Sequence, residues 1–232
     1  MIPASARAVH PRMADKRLLK PAWTLALTRL LLVCGILASL LYVALNVLGA
    51  MQWPGYSMAS QAVSELSAID APSRWLVVPL GLVYTALMVA FGIGVWRSSA
   101  GNRPLRISAV LLLGFGILGF VAPFTPMHMR GTEFTLTDTL HISFAIVTVV
   151  LMFLSMAFGA AAFGERFRLY SIATIVALLV FGALTGPDGP RIAANQPTPF
   201  VGIYERINIG VFLLWIIVLA VRLWRVPRVE TS

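Results

Sequence analysis

The stretch TLTDTLHISFAIVTVVLMFLSMAFGAAAF, residues 135–163, decides the fold class of this 232-residue chain. No charged residue follows Asp138 within it. At about 1.5 Å per residue, a helix of this length crosses a hydrocarbon core of about 30 Å. The stretch therefore predicts a membrane-spanning helix. It also places Asp138 and His141 at the mouth of that helix, where lipid makes ionisable groups costly.

Five further apolar runs have the length of a membrane span. These five runs cover residues 23–49, 75–96, 107–124, 169–186 and 202–223, and residues 138–163 make the sixth. The chain is 59% hydrophobic and only 12% charged, and the segments between the runs are too short to form a soluble domain. We therefore predict an all-α polytopic membrane protein, a six-helix transmembrane bundle over residues 23–223. Residues 1–22 are predicted to be a basic cytoplasmic tail and residues 224–232 a second cytoplasmic tail.

The distribution of positive charge predicts the orientation of the bundle. Thirteen of the 18 Lys and Arg residues lie in the N-terminal tail, in the second and fourth connections and at the C-terminal end from Arg222 onward, and only four lie on the opposite side. Loops rich in Lys and Arg stay in the cytoplasm. Both termini are therefore predicted to be cytoplasmic, in a multi-pass protein of the inner (plasma) membrane. The three long connections would then lie on the outer side.

Composition also excludes several classes of function. The net charge of +9 sits beside the predicted spans rather than on a folded polar surface, which argues against nucleic acid as a partner. Cys34 is the only cysteine, so one chain has neither a disulfide framework nor a cysteine-based metal site. The usual sequence motifs of serine hydrolases, zinc proteases and phosphate-binding loops are absent.

The first outer segment, SMASQAVSELSAIDAPSRW, fits a short interfacial helix that begins at Ser60 and ends near Asp70. Its serines recur at helical spacing on one face. One interpretation makes Glu65 and one of the serines, Ser64 or Ser67, part of an outer pocket. The other makes them a solvated polar face, with Ser and Asp side chains capping the helix.

The second outer segment brings His128 and Arg130 towards the start of the fourth span. Asp138 and His141 are three residues apart and project from nearly the same helix face. A carboxylate that orients an imidazole, or a metal site built from His128, His141 and Asp138, would use this spacing. An acid in the first turn of a helix also serves simply as a cap, so both interpretations of Asp138 stay open.

The stretch GIYERINIGVFLLW opens the sixth span with adjacent charges. Glu205 and Arg206 point about 100° apart on a helix, whereas Glu205 and Asn208 can face one direction. Arg206 is expected either to bind a lipid phosphate or to pair with Asp138. A structural ion-pair network that clamps the outer helix ends is the alternative. Asn46, near the outer end of the first span, would join either version.

These segments resemble a bacterial and archaeal membrane family known as domain of unknown function 998. The resemblance rests on SELSAIDAPSRW, HMRG with DTLHISFA, and GIYERINIGVFLLW, and it covers residues 25–222. It implies a six-helix bundle, similar in outline to the damage-regulated autophagy modulator membrane proteins. It implies no catalytic residues.

Three functions follow as hypotheses. The first is a binding protein whose outer pocket holds a lipid headgroup, a small molecule or another envelope component. That pocket would be built from Glu65, Asp70, Arg130, Asp138, Arg206 and Asn208. Membrane lipids are the expected partners, and the oligomeric state is left open.

The second hypothesis is a membrane hydrolase or transferase. Its candidate catalytic residues are Ser64, His128, His141 and Glu205, with zinc as a conceivable cofactor. The third is proton- or ion-coupled transport, which requires ionisable groups in mid-membrane. The sequence offers few of these below Glu205, Asn208 and His141.

Overall fold

A computed structural model of the chain describes residues 22–225, which are helical and contain no β-strand. The seven α-helices are α1 (Ala22–Met51), α2 (Arg74–Ser98), α3 (Arg103–Gly119), α4 (Leu136–Ala161), α5 (Glu165–Thr185), α6 (Asp188–Ala193) and α7 (Val201–Arg225). Short 3₁₀ helices cover Val63–Ser67 and Ala122–Phe124. The predicted N-terminal tail, and the C-terminal tail beyond α7, lie outside the described residues.

Six helices, α1 to α5 and α7, are long and apolar enough to cross a membrane, which confirms the predicted six-helix fold. The helix starts differ from the predicted ones where local caps act. α3 begins before residue 107 because the Asn102 side chain accepts a hydrogen bond from the Leu105 amide at 3.0 Å, and Pro104 suits the first turn. α5 likewise begins at Glu165, because an acid is favourable in the first turn of a helix.

The six long helices form a closed ring. Each of the helices α1 to α4 packs against the next in the chain, α5 packs against α7, and α7 closes the ring against α1. Segments 52–73, 120–135 and 186–200 all connect helices at one end of this ring. We call this end the loop-rich end. It corresponds to the side that the charge distribution predicts to be outer.

Large side chains fill the centre of the ring. Trp215 of α7 is fully buried, and its indole N–H donates to the Ser171 hydroxyl of α5 at 3.0 Å. Its ring also lies against Gly159 of α4, where a Cβ would come within 2.5 Å of it. The same buried cluster includes Phe91, Met88, Leu112, Met156 and Phe212.

The outer faces of the helices are apolar and exposed. Leu37, Ile146 and Val176 are each about half exposed, and similar side chains recur along the other spans. An exposed apolar surface of this extent is costly in water and normal in lipid. The chain is a multi-pass membrane protein whose helices contact lipid.

Candidate functional site at the loop-rich end

A buried ion pair joins two of the connecting segments. Glu65 is 1% exposed, and Arg130 holds it with two hydrogen bonds of 2.7 Å, one from Nε and one from a terminal nitrogen. This two-point geometry is the strong form of a carboxylate pair. The hydrogen bonds to Glu65 raise the pKa of Arg130 above its ordinary value. Glu65 thus connects segment 52–73 to segment 120–135.

Further hydrogen bonds complete this connection. The Glu65 carboxylate accepts at 2.8 Å from the amide of Ala62, the residue that precedes its own short helix. The carbonyl of Ser60 accepts from Arg130 at 3.0 Å and from the Thr198 hydroxyl at 2.9 Å. All three connecting segments therefore meet at this carbonyl.

Asp138 caps α4 and holds the preceding loop at the same time. Its carboxylate accepts from the Thr135 amide at 2.9 Å and from the His128 amide at 2.7 Å. The His128 ring nitrogen Nδ1 lies 2.8 Å from the same carboxylate. Asp138 therefore serves as a cap, and the imidazole that it contacts belongs to His128 and not, as the spacing in α4 predicted, to His141.

His141 does not join this arrangement. Its Nδ1 lies 2.9 Å from the carbonyl oxygen of Thr125. A carbonyl only accepts, so the ring nitrogen donates. Within residues 22–225 no three His, Cys, Asp or Glu side chains are grouped closely enough to hold a metal ion. The zinc hypothesis gains no set of three ligands from His128, His141 and Asp138.

Glu205 and Arg206 both hold segment 52–73 from the start of α7, each in its own direction. Glu205 accepts from the Val63 amide at 2.6 Å. Arg206 donates to the Met58 carbonyl at 2.7 Å and to the Tyr56 hydroxyl at 2.8 Å. The predicted pairing of Arg206 with Asp138 is wrong, because backbone carbonyls and a phenol take its terminal nitrogens while His128 and Thr135 take the carboxylate.

Tyr56 supports Arg206 from beside its guanidinium. The guanidinium carbon lies 5.7 Å from the centre of the phenol ring, within the range of a cation–π contact. The phenol also donates to the Ala62 carbonyl at 2.8 Å. Burial raises the pKa of Tyr56, so the hydroxyl stays protonated at neutral pH and keeps this donor.

Two predicted site residues, Asn208 and Asp70, lie apart from this network, whereas the Ser64 backbone hydrogen-bonds to Glu205. Asn208 donates to the Leu178 carbonyl of α5 at 2.6 Å, while Glu205 accepts from the Val63 amide. Asp70 is exposed and has a φ of 64°, which makes it a turn residue. Ser64 accepts through its carbonyl from the Ser67 hydroxyl at 3.1 Å. The Ser67 hydroxyl therefore donates to a backbone carbonyl rather than to a histidine.

A small cavity lies under segment 52–73, between α1 and α7. We call it the seam groove, and its volume is about 140 Å³. This is roughly the volume that four or five water molecules occupy in the liquid, at about 30 Å³ each. Val43 and Val47, about half exposed on α1, form its lipid-facing rim. Its other lining residues are Tyr42, Asn46, Met58, Val63, Arg206, Ile209, Gly210 and Leu213.

Two residues that line the seam groove each carry a buried polar atom that has no hydrogen-bond partner within residues 22–225. The two atoms are Oδ1 of Asn46, a residue 6% exposed, and Nε of Arg206. The Asn46 amide nitrogen donates to the Tyr42 carbonyl at 3.1 Å. This bond fixes the orientation of the amide group and leaves Oδ1 as the atom without a partner. Each unsatisfied buried group costs about 1–3 kcal/mol, so these two side chains carry a cost that a hydrogen-bond partner would remove.

Comparison with known proteins identifies the family. The sequence model of the family described as protein of unknown function DUF998 matches residues 36–222. The chain belongs to this DUF998 family. No curated protein and no solved structure matches it. The matched range includes α2 to α6, most of α1 and α7, and every residue of the loop-rich end described above.

In this DUF998 chain the charged groups of the loop-rich end are used mainly to join segments. Glu65, Glu205 and Asp138 all accept backbone amides, and Arg130 and Arg206 reach backbone carbonyls. The hydrogen bonds from Glu65 and Asp138 to their own segments are local. The hydrogen bonds that cross between segments fix the positions of the connecting segments relative to one another.

The sequence patterns did not single out Tyr56, Gln61, Thr198 or Gly210. Tyr56 accepts from Arg206 and Thr198 donates to the Ser60 carbonyl, both far away in the chain, and a spacing pattern carries no sign of such bonds. The Gln61 side chain accepts from the Ser57 amide at 2.9 Å, which is a local turn that the pattern could have suggested. Gly210 is notable for the space beside it, which only the packing of α1 shows.

Proposed function

We propose that this protein is a non-catalytic membrane protein that binds a lipid headgroup, or another amphiphilic component of the envelope, in the seam groove. The observation that carries the proposal is the pair of unpartnered polar atoms on Asn46 and Arg206, two residues that line a cavity whose rim faces lipid. A headgroup would meet the polar atoms while its chain lay along Val43 and Val47.

The network above the groove supports this proposal. Met58 and Val63 form part of the groove lining, and Arg206 and Glu205 hold their backbone at 2.7 and 2.6 Å. A lining that is already ordered loses little conformational entropy when a ligand binds. The charged side chains of Glu205 and Arg206 therefore hold the groove lining in place and need not contact the ligand themselves.

Gly210 allows a direct test of this function. Gly210 lines the groove and a Cβ built there meets no atom within 4 Å, so Gly210→Leu is expected to place side-chain atoms where the ligand would lie. Gly81 of α2 also has open space and does not line the groove, which makes Gly81→Leu the matched control. Native mass spectrometry of the purified proteins would measure the lipid that copurifies.

We expect wild-type protein and Gly81→Leu to retain the same lipid, and Gly210→Leu to lose most of it. Equal retention by all three proteins would overturn the proposal, because the retained lipid would then lie elsewhere on the bundle. The side of the membrane is part of the same proposal. The excess of Lys and Arg at the opposite end supports cytoplasmic termini and a seam groove in the outer leaflet of the inner membrane.

The contact of His128 with Asp138 favours one alternative function. A carboxylate that holds Nδ1 leaves Nε2 of the imidazole as a base, as in hydrolases and transferases with an activated serine. A fluorophosphonate probe tests this alternative, since it labels activated serines. Labelling of wild-type protein that disappears in His128→Gln would support an enzyme. An unlabelled wild-type protein would contradict it.

A further inference from the structure

The end of the ring opposite the loop-rich end carries arginines that no carboxylate neutralises. Within residues 22–225 the ion pairs of arginine, at Arg130 and Arg191, both lie at the loop-rich end. At the opposite end, Glu165 is the single acid of the described chain. The arginines at that end are Arg29, Arg97, Arg103, Arg106, Arg166, Arg168, Arg222 and Arg225. Their charge therefore has to be balanced from outside the bundle.

An open cavity at this end brings two of these arginines beside apolar side chains. Its volume is about 470 Å³, within the range of about 300–1,000 Å³ that is usual for small-molecule sites. It lies beside the turn that joins α2 to α3, and we call it the turn cavity. Its lining residues are Trp96, Gly101, Arg103, Arg106, Ile107 and Val110. None of them lines the seam groove, so the two sites are separate.

Both arginines of the turn cavity keep their hydrogen-bond donors. Arg103 and Arg106 are exposed, and within residues 22–225 neither guanidinium donates to an oxygen of the chain. The Arg106 guanidinium carbon lies 5.0 Å from the centre of the Trp96 ring. This cation–π contact positions Arg106 and supplies no oxygen acceptor to its N–H groups. In contrast, Arg130 has its donors taken by Glu65 and by the Ser60 carbonyl.

The order of the lining residues along α3 matches the profile of a phospholipid. Arg103, Arg106 and Val110 follow one another at spacings of three and four residues, which places them on one helix face. At about 1.5 Å per residue, Val110 lies about 10 Å deeper in the membrane than Arg103. Val110 is half exposed, and Trp96 is an aromatic of the kind found at membrane–water interfaces. The cavity is therefore cationic at its water-facing edge and apolar towards the hydrocarbon.

We propose that the turn cavity binds an anionic glycerophospholipid from the leaflet at this end of the bundle. The phosphate accepts from Arg103 and Arg106, and an acyl chain lies along Ile107 and Val110. A zwitterionic lipid carries an ammonium group that opposes this attraction, and a soluble phosphate ester has nothing to lay against Val110. The site goes beyond the proposed function and requires no ligand in the seam groove.

Titration of delipidated full-length protein in a neutral detergent, followed by native mass spectrometry, tests this proposal. The probes are dioctanoyl phosphatidylglycerol, dioctanoyl phosphatidylcholine and glycerol 3-phosphate, which carries the phosphate without acyl chains. Arg103→Gln combined with Arg106→Gln removes both cations of the cavity. The matched control combines Arg166→Gln with Arg168→Gln, which removes two exposed arginines from the same end that do not line the cavity.

Two further variants leave the charge unchanged. Val110→Trp fills the apolar part of the turn cavity. Its control is Val176→Trp, because Val176 is also about half exposed and lies on α5, away from the cavity. Gly210→Leu, which is designed to fill the seam groove, separates this proposal from the proposed function.

We expect wild-type protein, both controls and Gly210→Leu to bind phosphatidylglycerol alike, and more tightly than phosphatidylcholine or glycerol 3-phosphate. The Arg103→Gln, Arg106→Gln protein should bind phosphatidylglycerol roughly ten- to thirtyfold more weakly, the effect of two charges at a membrane surface. Val110→Trp should weaken binding roughly fivefold, because the acyl chain loses its contact with α3.

Equal weakening by the two double Arg variants would show attraction to the whole end rather than to the cavity, and would overturn the proposal. So would unchanged binding in Val110→Trp, or binding of phosphatidylcholine or glycerol 3-phosphate as tight as that of phosphatidylglycerol. If Gly210→Leu abolishes the binding of phosphatidylglycerol, the lipid lies in the seam groove, and this proposal is wrong while the proposed function stands.

Discussion

Glu65 is the most deeply buried acid described in this chain, and its charge is fully matched. One carboxylate oxygen accepts from Ala62 and Arg130, and the other accepts from Arg130 and, at 3.3 Å, from Gln61. Burying a carboxylate without such partners is costly, and removing one partner of a buried pair is strongly destabilising. Glu65 and Arg130 therefore act together.

We predict that Arg130→Met lowers the stability of the protein by about 3 kcal/mol, because it leaves the buried Glu65 charge without its cation. Thermal unfolding in detergent would show a lower Tm. The matched control is Arg191→Met, since Arg191 is half exposed and lies 3.5 Å from Asp188. The double variant Glu65→Leu, Arg130→Met should regain part of the lost stability. Equal Tm shifts for the two single Arg variants would contradict the prediction.

Asp138 provides a second prediction at this scale. Asp138→Ala removes the acceptor of the His128 and Thr135 amides and should cost about 1 kcal/mol as a lost helix cap. Hydrogen exchange would speed up in residues 128–135 and stay unchanged in α7. Glu133→Ala, an exposed acid in the same loop, is the control and should leave exchange as in the wild type. Unaltered exchange in Asp138→Ala would show that the loop is held by other contacts.

The sequence predicted the identities of the important residues better than their partners. Four charged residues stood out because a charge near a membrane span is costly unless it has a partner. They are Glu65, Arg130, Asp138 and Arg206. Their partners include backbone carbonyls and amides from distant segments, such as Met58 for Arg206. Backbone groups are present at every residue, so composition and spacing cannot show which of them is used.

At the scale of elements, segment 52–73 lies directly on the start of α7. The amides of Gly202 and Ile203 donate to the Ala59 carbonyl at 2.9 and 3.3 Å, and Gly202 itself faces the carbonyl oxygens of Gln61 and Met58. No side chain fits between these backbones. The absence of a Cβ at residue 202 is what allows the segment to approach α7.

We predict that Gly202→Ala pushes segment 52–73 off α7 and destabilises the protein by about 2 kcal/mol, within the range of overpacking. Gly189→Ala in α6 is the control, because a Cβ there meets nothing within 4 Å. Heating each detergent-solubilised variant and following the monodisperse fraction by size-exclusion chromatography would measure the difference. A Gly202→Ala variant as heat-stable as Gly189→Ala would mean that the segment has room to adjust.

The elements themselves were largely predictable. Each span is a long apolar run, and hydrophobicity over such a length has few alternative explanations. The segment after Ser60 was predicted as a longer interfacial helix, whereas the structure has a 3₁₀ helix over Val63–Ser67. Its shape depends on Glu65, Glu205 and Arg206 acting from three directions, and these tertiary contacts override the local serine pattern.

At the scale of the whole molecule, orientation in the membrane is the prediction with the widest consequence, because it determines which leaflet reaches the seam groove. Cys34 is the only cysteine, so Cys34→Ser gives a background without thiols. On that background we expect Gln196→Cys at the loop-rich end to react with a membrane-impermeant maleimide in intact spheroplasts. Arg166→Cys at the opposite end should react only after lysis. The reverse pattern would place both termini outside.

The seam groove lies between α1 and α7, two helices that are far apart in the chain, and this has a consequence for biosynthesis. α1 supplies Asn46 and leaves the ribosome before α7, which supplies Arg206 and Gly210. The groove therefore does not exist while α1 to α5 enter the bilayer, and it forms only when α7 closes the ring. A ligand of the kind proposed for the groove can bind only after α7 has been synthesised and inserted.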